Sequence, residues 1–189
     1  MGRRLLPAVQ VRNTMEMLVK SGAIDGDLAK AWQRKLADEM KVKERREMAE
    51  AGDGHAMYEL GFWYENGTHG LAVDKMQARA WYERSAAVRD PGGLASFGFC
   101  LLHGLGGPTD NALGLMNMTD AAHLGTYQSE PLDPEDFNTG YIGPFLLGKT
   151  FAKGSFGLSK DPVRARFWLE KVTAGAYEEL DGLLQELEQ

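Results

Sequence analysis

Apolar residues recur at helical spacing between residues 56 and 67. Ala56, Leu60 and Tyr64 lie four positions apart, and side chains at that interval share one face of an α-helix. Gly61 interrupts this stretch at its centre, where glycine costs about 1 kcal/mol relative to alanine, so a close approach to another helix is the expected reason for it. The stretch therefore predicts an amphipathic helix that packs tightly against a partner helix.

A second helix is predicted directly after the first. Gly67 and Gly70 suit the left-handed backbone conformation that ends a helix and turns the chain. Asp74 then stands where its carboxylate can cap the first turn of a new helix. The inner face of that helix would carry Ala78, Trp81, Ser85 and Ala86.

The same two-helix pattern occurs three times. Gly61 has counterparts in Gly98 and Gly148, separated by 37 and then 50 positions, and a period of this size is typical of solenoids built from helix pairs. The matching starts of the second helices are Asp74, Thr109 and Asp161, and the matching bulky residues are Trp81, Met116 and Trp168. Because each unit buries its apolar face only against its neighbours, the sequence predicts an all-α solenoid of three helix pairs.

The pattern A-x-x-x-L-G-x-x-Y-x-x-G, followed by G-x-x-x-D and A-x-x-W-Y-x-x-A, resembles the Sel-one-like repeat (SLR), a relative of the tetratricopeptide repeat. Unit one fits this pattern almost throughout, whereas unit two is degenerate and has Leu101 in place of the tyrosine. The resemblance implies an α-solenoid that serves as a protein-binding scaffold, usually without catalysis of its own. Its structural residues here would be Gly61, Tyr64, Trp81, Gly98, Gly148 and Trp168.

The repeats are expected to occupy residues 51–177, with an irregular, acidic and proline-containing insertion at 126–140. Residues 1–50 predict a short helix, a turn and a long amphipathic helix that caps the open face of unit one. Residues 178–189 are expected to form a C-terminal capping helix. The predicted architecture is thus one repeat domain with a helical cap at each end.

Residues 5–19 carry a second, weaker resemblance. The run Leu5-Leu-Pro-Ala-Val-Gln-Val-Arg12 is similar to the L-x-P-N-x-x-L-R motif that opens the last helix of a U-box, with Ala8 where asparagine is usual. That resemblance would imply a fragment of a larger ubiquitin ligase whose repeats bind substrate or partner. The alternative is a plain capping helix introduced by a proline turn.

Composition narrows the functional class. A net charge of −6 and a pI near 5.3 argue against a nucleic-acid surface, which needs a basic stripe. The sequence has no apolar run of about 18 residues, so no membrane association is predicted. Cys100 is the single cysteine and cannot form an internal disulfide, which favours a reducing compartment. The predicted location is cytoplasmic or nuclear.

The sequence predicts no catalytic, cofactor or metal site. No two of the four histidines have the spacing of zinc ligands. Ser96 lacks the G-x-S-x-G context of a hydrolase nucleophile. The glycines at 104–107 have no lysine after them and no strand before them, so they predict a turn and not a phosphate loop. We therefore expect a protein that is not an enzyme.

Helix geometry selects a candidate binding face. In unit one, Leu60 and Tyr64 are expected to face the partner helix, which leaves the opposite side of the first helix for a concave surface. The glycine register extends this face to the other units, and its positions are Tyr58, Phe62, Glu65 and Asn66, then Ala95, Phe99, Leu102 and His103, then Phe145, Lys149, Ala152 and Lys153. Such an apolar patch is typical of a protein-contact site, although a tail or the insertion could cover it instead. The predicted partner is a peptide or helix of another protein, and the sequence leaves the oligomeric state open.

Overall fold

The computed structural model describes residues 8–125, 142–172 and 179–187. Within those ranges the regular secondary structure consists of nine helices, without a strand. The helices are α1 (Ala8–Lys20), α2 (Gly26–Glu50), α3 (Gly54–Asn66), α4 (Lys75–Ala87), α5 (Pro91–His103), α6 (Asn111–Gly125), α7 (Ile142–Lys153), α8 (Pro162–Leu169) and α9 (Leu180–Glu186). The all-α prediction is confirmed, while the predicted insertion at 126–140 lies outside the described residues.

The three predicted units are helix pairs. Helix α3 packs on α4, α5 on α6, and α7 on α8, and each pair packs on the next through α4 against α5 and α6 against α7. The first helices of neighbouring pairs also contact one another, α3 with α5 and α5 with α7. At the ends of the array α2 packs on α3, and α9 packs on α7 and α8. This arrangement is the predicted solenoid of helix pairs with a helix at each end.

Capping residues set the helix boundaries. The aspartates at 53, 74, 90 and 161 accept hydrogen bonds from backbone N–H groups in the first turns of α3, α4, α5 and α8. The first helix of every unit ends on a glycine in the left-handed conformation, with φ of 68° at Gly67, 69° at Gly104 and 67° at Gly154. These residues satisfy backbone groups that a helix end leaves unpaired, which is why the boundaries could be located from sequence.

The mid-helix glycines lie where two helices approach closely. A Cβ on Gly61 would be 2.6 Å from the ring of Tyr82, and one on Gly98 would be 2.8 Å from the carbonyl oxygen of Gly114. A Cβ on Gly148 would be 2.7 Å from Cγ of Leu169. In each unit, therefore, the glycine of the first helix leaves room for the second helix.

In unit one the side chain that packs against Gly61 is Tyr82 and not the predicted Trp81. Tyr82 is 1% exposed, whereas Trp81 is only partly buried and packs beside the cluster around Leu60. The Arg84 guanidinium covers the other side of the indole, 4.2 Å from the ring centroid. One step along a helix rotates the side chain by about 100°, which is enough to move Trp81 from the centre of the contact to its edge.

In unit two the cap and the buried residue of the second helix also differ from the predicted ones. The carboxylate of Asp110, not the predicted Thr109, accepts the capping hydrogen bond, from the backbone of Leu113 at 3.0 Å. The turn before α6 is one residue shorter than its counterparts, so Met118, at 1% exposed, takes the place of Tyr82. Met116, the predicted equivalent of the tryptophan, is 57% exposed.

Candidate functional site

The predicted binding face separates into a buried row and an accessible row. Each unit contributes four positions to this face, which we call register positions one to four in chain order. Position one is Tyr58, Ala95 or Phe145, and all three residues are buried. The fourth register position is exposed in every unit, and its residues are Asn66, His103 and Lys153. The second position is half-buried in every unit, and its residues are Phe62, Phe99 and Lys149. The side chains available to a partner therefore come from the second and fourth positions.

Four residues that were predicted to lie on the binding surface are core residues. Tyr58 packs in one cluster with Ala95 and Phe97 of α5, and Phe145 packs with Leu180 of α9. Leu102 is 4% exposed because it turns toward α6. At Tyr58, Ala95 and Phe145 the prediction failed because it considered one helix pair alone, whereas a helix of a neighbouring pair or α9 covers these residues. At Leu102 it failed because the side chain faces α6, the second helix of its own pair.

In unit one the remaining face residues are engaged by the chain itself. The carboxylate of Glu65 accepts two hydrogen bonds, one of 2.7 Å from the Tyr82 hydroxyl and one of 3.2 Å from the Lys75 ammonium group. Burial and the charge of Glu65 raise the pKa of Tyr82 far above its ordinary value. Asn66 donates to the carbonyl of Phe62 in its own helix, at 2.9 Å. This part of the face is closed by intramolecular contacts.

Between units two and three the face opens into a cavity of about 290 Å³. We call it the α5/α7 groove, and its lining residues are Phe99, His103, Met118, Leu146, Lys149, Thr150, Lys153, Ser155 and Phe156. Four of the predicted face residues are thus brought together in one place. They are Phe99 and His103 of unit two and Lys149 and Lys153 of unit three.

Aromatic side chains form one wall of the α5/α7 groove. The rings of Phe99 and His103 are 4.2 Å apart, and Phe156 meets His103 edge-on at 5.1 Å. Phe156 has a left-handed backbone, with φ of 56°, a conformation that costs a residue with a Cβ roughly 1–2 kcal/mol. Sequence reasoning missed Phe156, although its position between Gly154 and Gly157 marked an unusual turn. The equivalent positions His69 and Gly106 also have positive φ, so this conformation belongs to the turn of the repeat.

Lysines form the opposite wall. Lys149 donates a hydrogen bond to the carboxylate of Glu179, which α9 brings to the groove. This hydrogen bond, the charge of Lys149 and the charge of Lys153 hold the pKa of Glu179 below its ordinary value. None of the lining residues is acidic, although the chain carries a net charge of −6. The groove is therefore a local basic site on an acidic protein.

A larger cavity of about 740 Å³ lies between α2 and the turn after α3. Sequence reasoning did not anticipate it. His69 borders this cavity and pairs with Asp38 at 2.8 Å, and like Phe156 it has a left-handed backbone, with φ of 51°. The charged residues of the lining are Arg34, Lys35, Lys43 and Arg46 together with Asp38, Glu39, Glu47 and Glu50. Basic and acidic groups balance, so this cavity does not favour a ligand of either charge.

The described residues offer little for chemistry. Among them, no three His, Cys, Asp or Glu side chains are grouped as metal ligands would be. Burial, and then the charge of Glu65, raise the pKa of the Cys100 thiol to about 11, which keeps it protonated near neutral pH. No helix in the described ranges is long and apolar enough to span a bilayer. The site supports recognition by shape and charge.

The Sel1 repeat model matches residues 54–88, 93–126 and 145–172. The chain belongs to the Sel1 repeat family. The predicted SLR resemblance is thereby confirmed, and the matched segments coincide with the three helix pairs. Sel1 repeat proteins are generally protein-interaction scaffolds and typically lack catalysis. The U-box resemblance stays a prediction: α1 begins at Ala8, as both interpretations of the N-terminal segment require, and residues 1–7 lie outside the described residues.

A solved structure of a Sel1 repeat protein shares this fold. A Sel1 repeat protein from Oxalobacter formigenes is 27% identical, with a TM-score of 0.57 over 77% of this chain and 98% of its own. The protein c5321 is a protective antigen present in uropathogenic Escherichia coli strains and displays an SLR fold. It is 16% identical, with a TM-score of 0.42 over 94% of this chain and 45% of its own. Among curated protein sequences, none matches this chain significantly.

Proposed function

We propose that this Sel1 repeat protein is a non-enzymatic scaffold that binds a peptide or helix of a partner protein in the α5/α7 groove. The observation that supports the proposal is the convergence of Phe99, His103, Lys149 and Lys153 from two adjacent units on one open cavity. The proposal places the protein in the cytoplasm or nucleus, in keeping with its single, buried cysteine.

The size of the groove favours a peptide over a small metabolite. Its volume of about 290 Å³ is at or below the lower end of the range for small-molecule pockets, roughly 300–1,000 Å³. A space of this size accepts one anchor side chain, and interfaces concentrate their binding energy in such anchors. The rest of a bound segment would lie across the exposed residues of α5 and α7.

Selection of peptides from a random displayed library against the native protein tests this proposal. We expect selected peptides to lose binding to the variant Phe99→Glu, because a carboxylate would be placed inside the apolar part of the groove. Phe167→Glu is the matched control, since Phe167 is 53% exposed on α8 and does not line the groove. The control should bind the same peptides as the unmodified protein.

A second variant separates loss of binding from loss of folding. Lys153 is exposed at the groove rim, so Lys153→Glu should weaken the same peptides while leaving the melting temperature and helical circular dichroism unchanged. The proposal is wrong if no peptide is selected, or if the selected peptides bind both groove variants as well as they bind the unmodified chain.

A further inference from the structure

We infer that the segment bound in the α5/α7 groove is acidic, and that Glu179 of this chain competes with it for Lys149. The inference rests on the proposed function and adds the chemistry of the partner. In it, carboxylates of the partner contact Lys149 and Lys153, and an apolar side chain of the partner enters between Phe99 and Phe156.

The first argument is the charge of the groove. Lys149 and Lys153 lie four residues apart on α7, a spacing that places two side chains on the same helix face. His103 stands on the opposite wall, and the lining contains no carboxylate. On a chain with a net charge of −6, these two lysines give the groove a local positive charge that favours a negatively charged partner segment.

The second argument is that a carboxylate of this chain already pairs with one of the groove lysines. Glu179 is exposed, and its carboxylate accepts a hydrogen bond from Lys149. Both lysines stabilise the ionised form of Glu179, since both lower its pKa. Lys149 therefore binds a carboxylate in this structure, and the charge of Lys153 acts on the same carboxylate. An exposed ion pair contributes little free energy, so a partner with several carboxylates can displace Glu179.

The third argument is the apolar part of the cavity. Phe99 and Phe156 flank it, and Met118 and Leu146 complete its lining. A segment that contacts both the aromatic residues and the lysines has acidic residues around a single leucine or phenylalanine. Nucleic acid fits less well, because two lysines on an acidic protein do not provide the basic stripe that a phosphate backbone requires.

Isothermal titration calorimetry with two synthetic peptides tests the inference. In the first peptide, aspartate and glutamate flank one leucine; in the second, asparagine and glutamine replace every acid. We expect the acidic peptide to bind about tenfold more tightly, as two or three exposed ion pairs would produce. Its affinity should fall when the salt concentration rises, because salt screens exposed charges.

Three variants assign the effect to named residues. Lys149→Gln with Lys153→Gln should remove the preference for the acidic peptide. Lys20→Gln with Lys30→Gln is the matched control, because it removes the same charge from α1 and α2, outside the groove, and should retain the preference. Glu179→Gln should strengthen binding of the acidic peptide about two- to fivefold by removing the competing carboxylate.

The outcomes distinguish this inference from the proposed function. Equal binding of both peptides, lost in Phe99→Glu, would overturn the acidic preference while the scaffold function stands. Failure of both peptides while library peptides bind at the groove would do the same. If neither the synthetic nor any library peptide binds, both proposals are wrong. Unchanged affinity in Glu179→Gln would overturn the competition by α9.

Discussion

The contact between α3 and α5 is closed, whereas the contact between α5 and α7 contains a groove. The first is filled by Tyr58 of α3, which packs with Leu94, Phe97 and Cys100 of α5 in one buried cluster. At the second, the positions equivalent to Phe62 and Asn66 carry Phe99 and His103 on α5 and Lys149 and Lys153 on α7, and these four residues line the cavity. Equivalent register positions in adjacent units thus give a closed contact in one place and a binding site in the other.

The difference follows from side-chain chemistry. Large aromatic side chains fill space between helices and are stabilised by leaving water. Lysine buries its aliphatic stem but keeps its ammonium group hydrated, so it leaves the centre of a contact open. The turn after α7 then adds Phe156, whose ring meets His103 edge-on. An interface between repeats becomes a candidate site when its central positions carry residues that cannot be fully buried.

Truncation of Tyr82 should have the largest effect, because this residue holds the closed contact together. We expect Tyr82→Ala to lower the free energy of unfolding by about 3–5 kcal/mol, as for other buried aromatic residues. Trp81→Ala should cost about half as much, since Trp81 is partly exposed. Urea unfolding followed by circular dichroism measures both. Equal losses would show that the two residues share the contact, contrary to the burial of Tyr82 alone.

Glycine replacements should have intermediate effects of opposite sign. Gly98→Ala places a Cβ 2.8 Å from the carbonyl of Gly114 and should destabilise the protein by about 1–3 kcal/mol through overpacking. Gly182→Ala on α9 meets no atom within 4 Å and should stabilise by up to about 1 kcal/mol, because alanine favours helix. Thermal melts of the two variants provide the test. A neutral Gly98→Ala would mean that α5 and α6 can separate without cost.

The smallest of these effects on stability should come from Cys100, which lies in the closed contact. Its pKa is raised from 9.0 to about 11, so the folded state holds the thiol proton more tightly than the unfolded chain. Its contribution to stability is therefore complete below pH 9 and is lost as the pH rises toward 11.

Two measurements check the state of Cys100. Iodoacetamide at pH 8 should label the denatured chain quickly and the native protein slowly. The stability of Cys100→Ala should depend less on pH between 9 and 11 than that of the unmodified protein. Rapid labelling of the native protein would show that the α3/α5 contact opens, and that the two contacts differ less than the structure indicates.

Sequence reasoning succeeded where the signal was local. The left-handed Gly67 and the caps Asp74 and Asp161 were readable because each acts on the backbone within one or two turns. The mid-helix glycines were readable because glycine is unfavourable inside a helix unless another helix comes close. It failed by one residue in unit two, where it placed the cap at Thr109 and the structure has it at Asp110. It also failed at Tyr58, Ala95 and Phe145, because burial there comes from a helix outside the pair. Leu102 was wrong because its side chain faces the second helix of its own pair.

Helical period, helix ends and the number of repeats were thus encoded in the chain, because hydrogen bonding and side-chain direction in a helix depend on nearby residues. The location of the groove was decided only when α5, α7 and the turn at Phe156 came together. Whether a cavity remains depends on the summed volumes and charges of side chains that are distant in sequence. No periodic pattern along the chain contains that information.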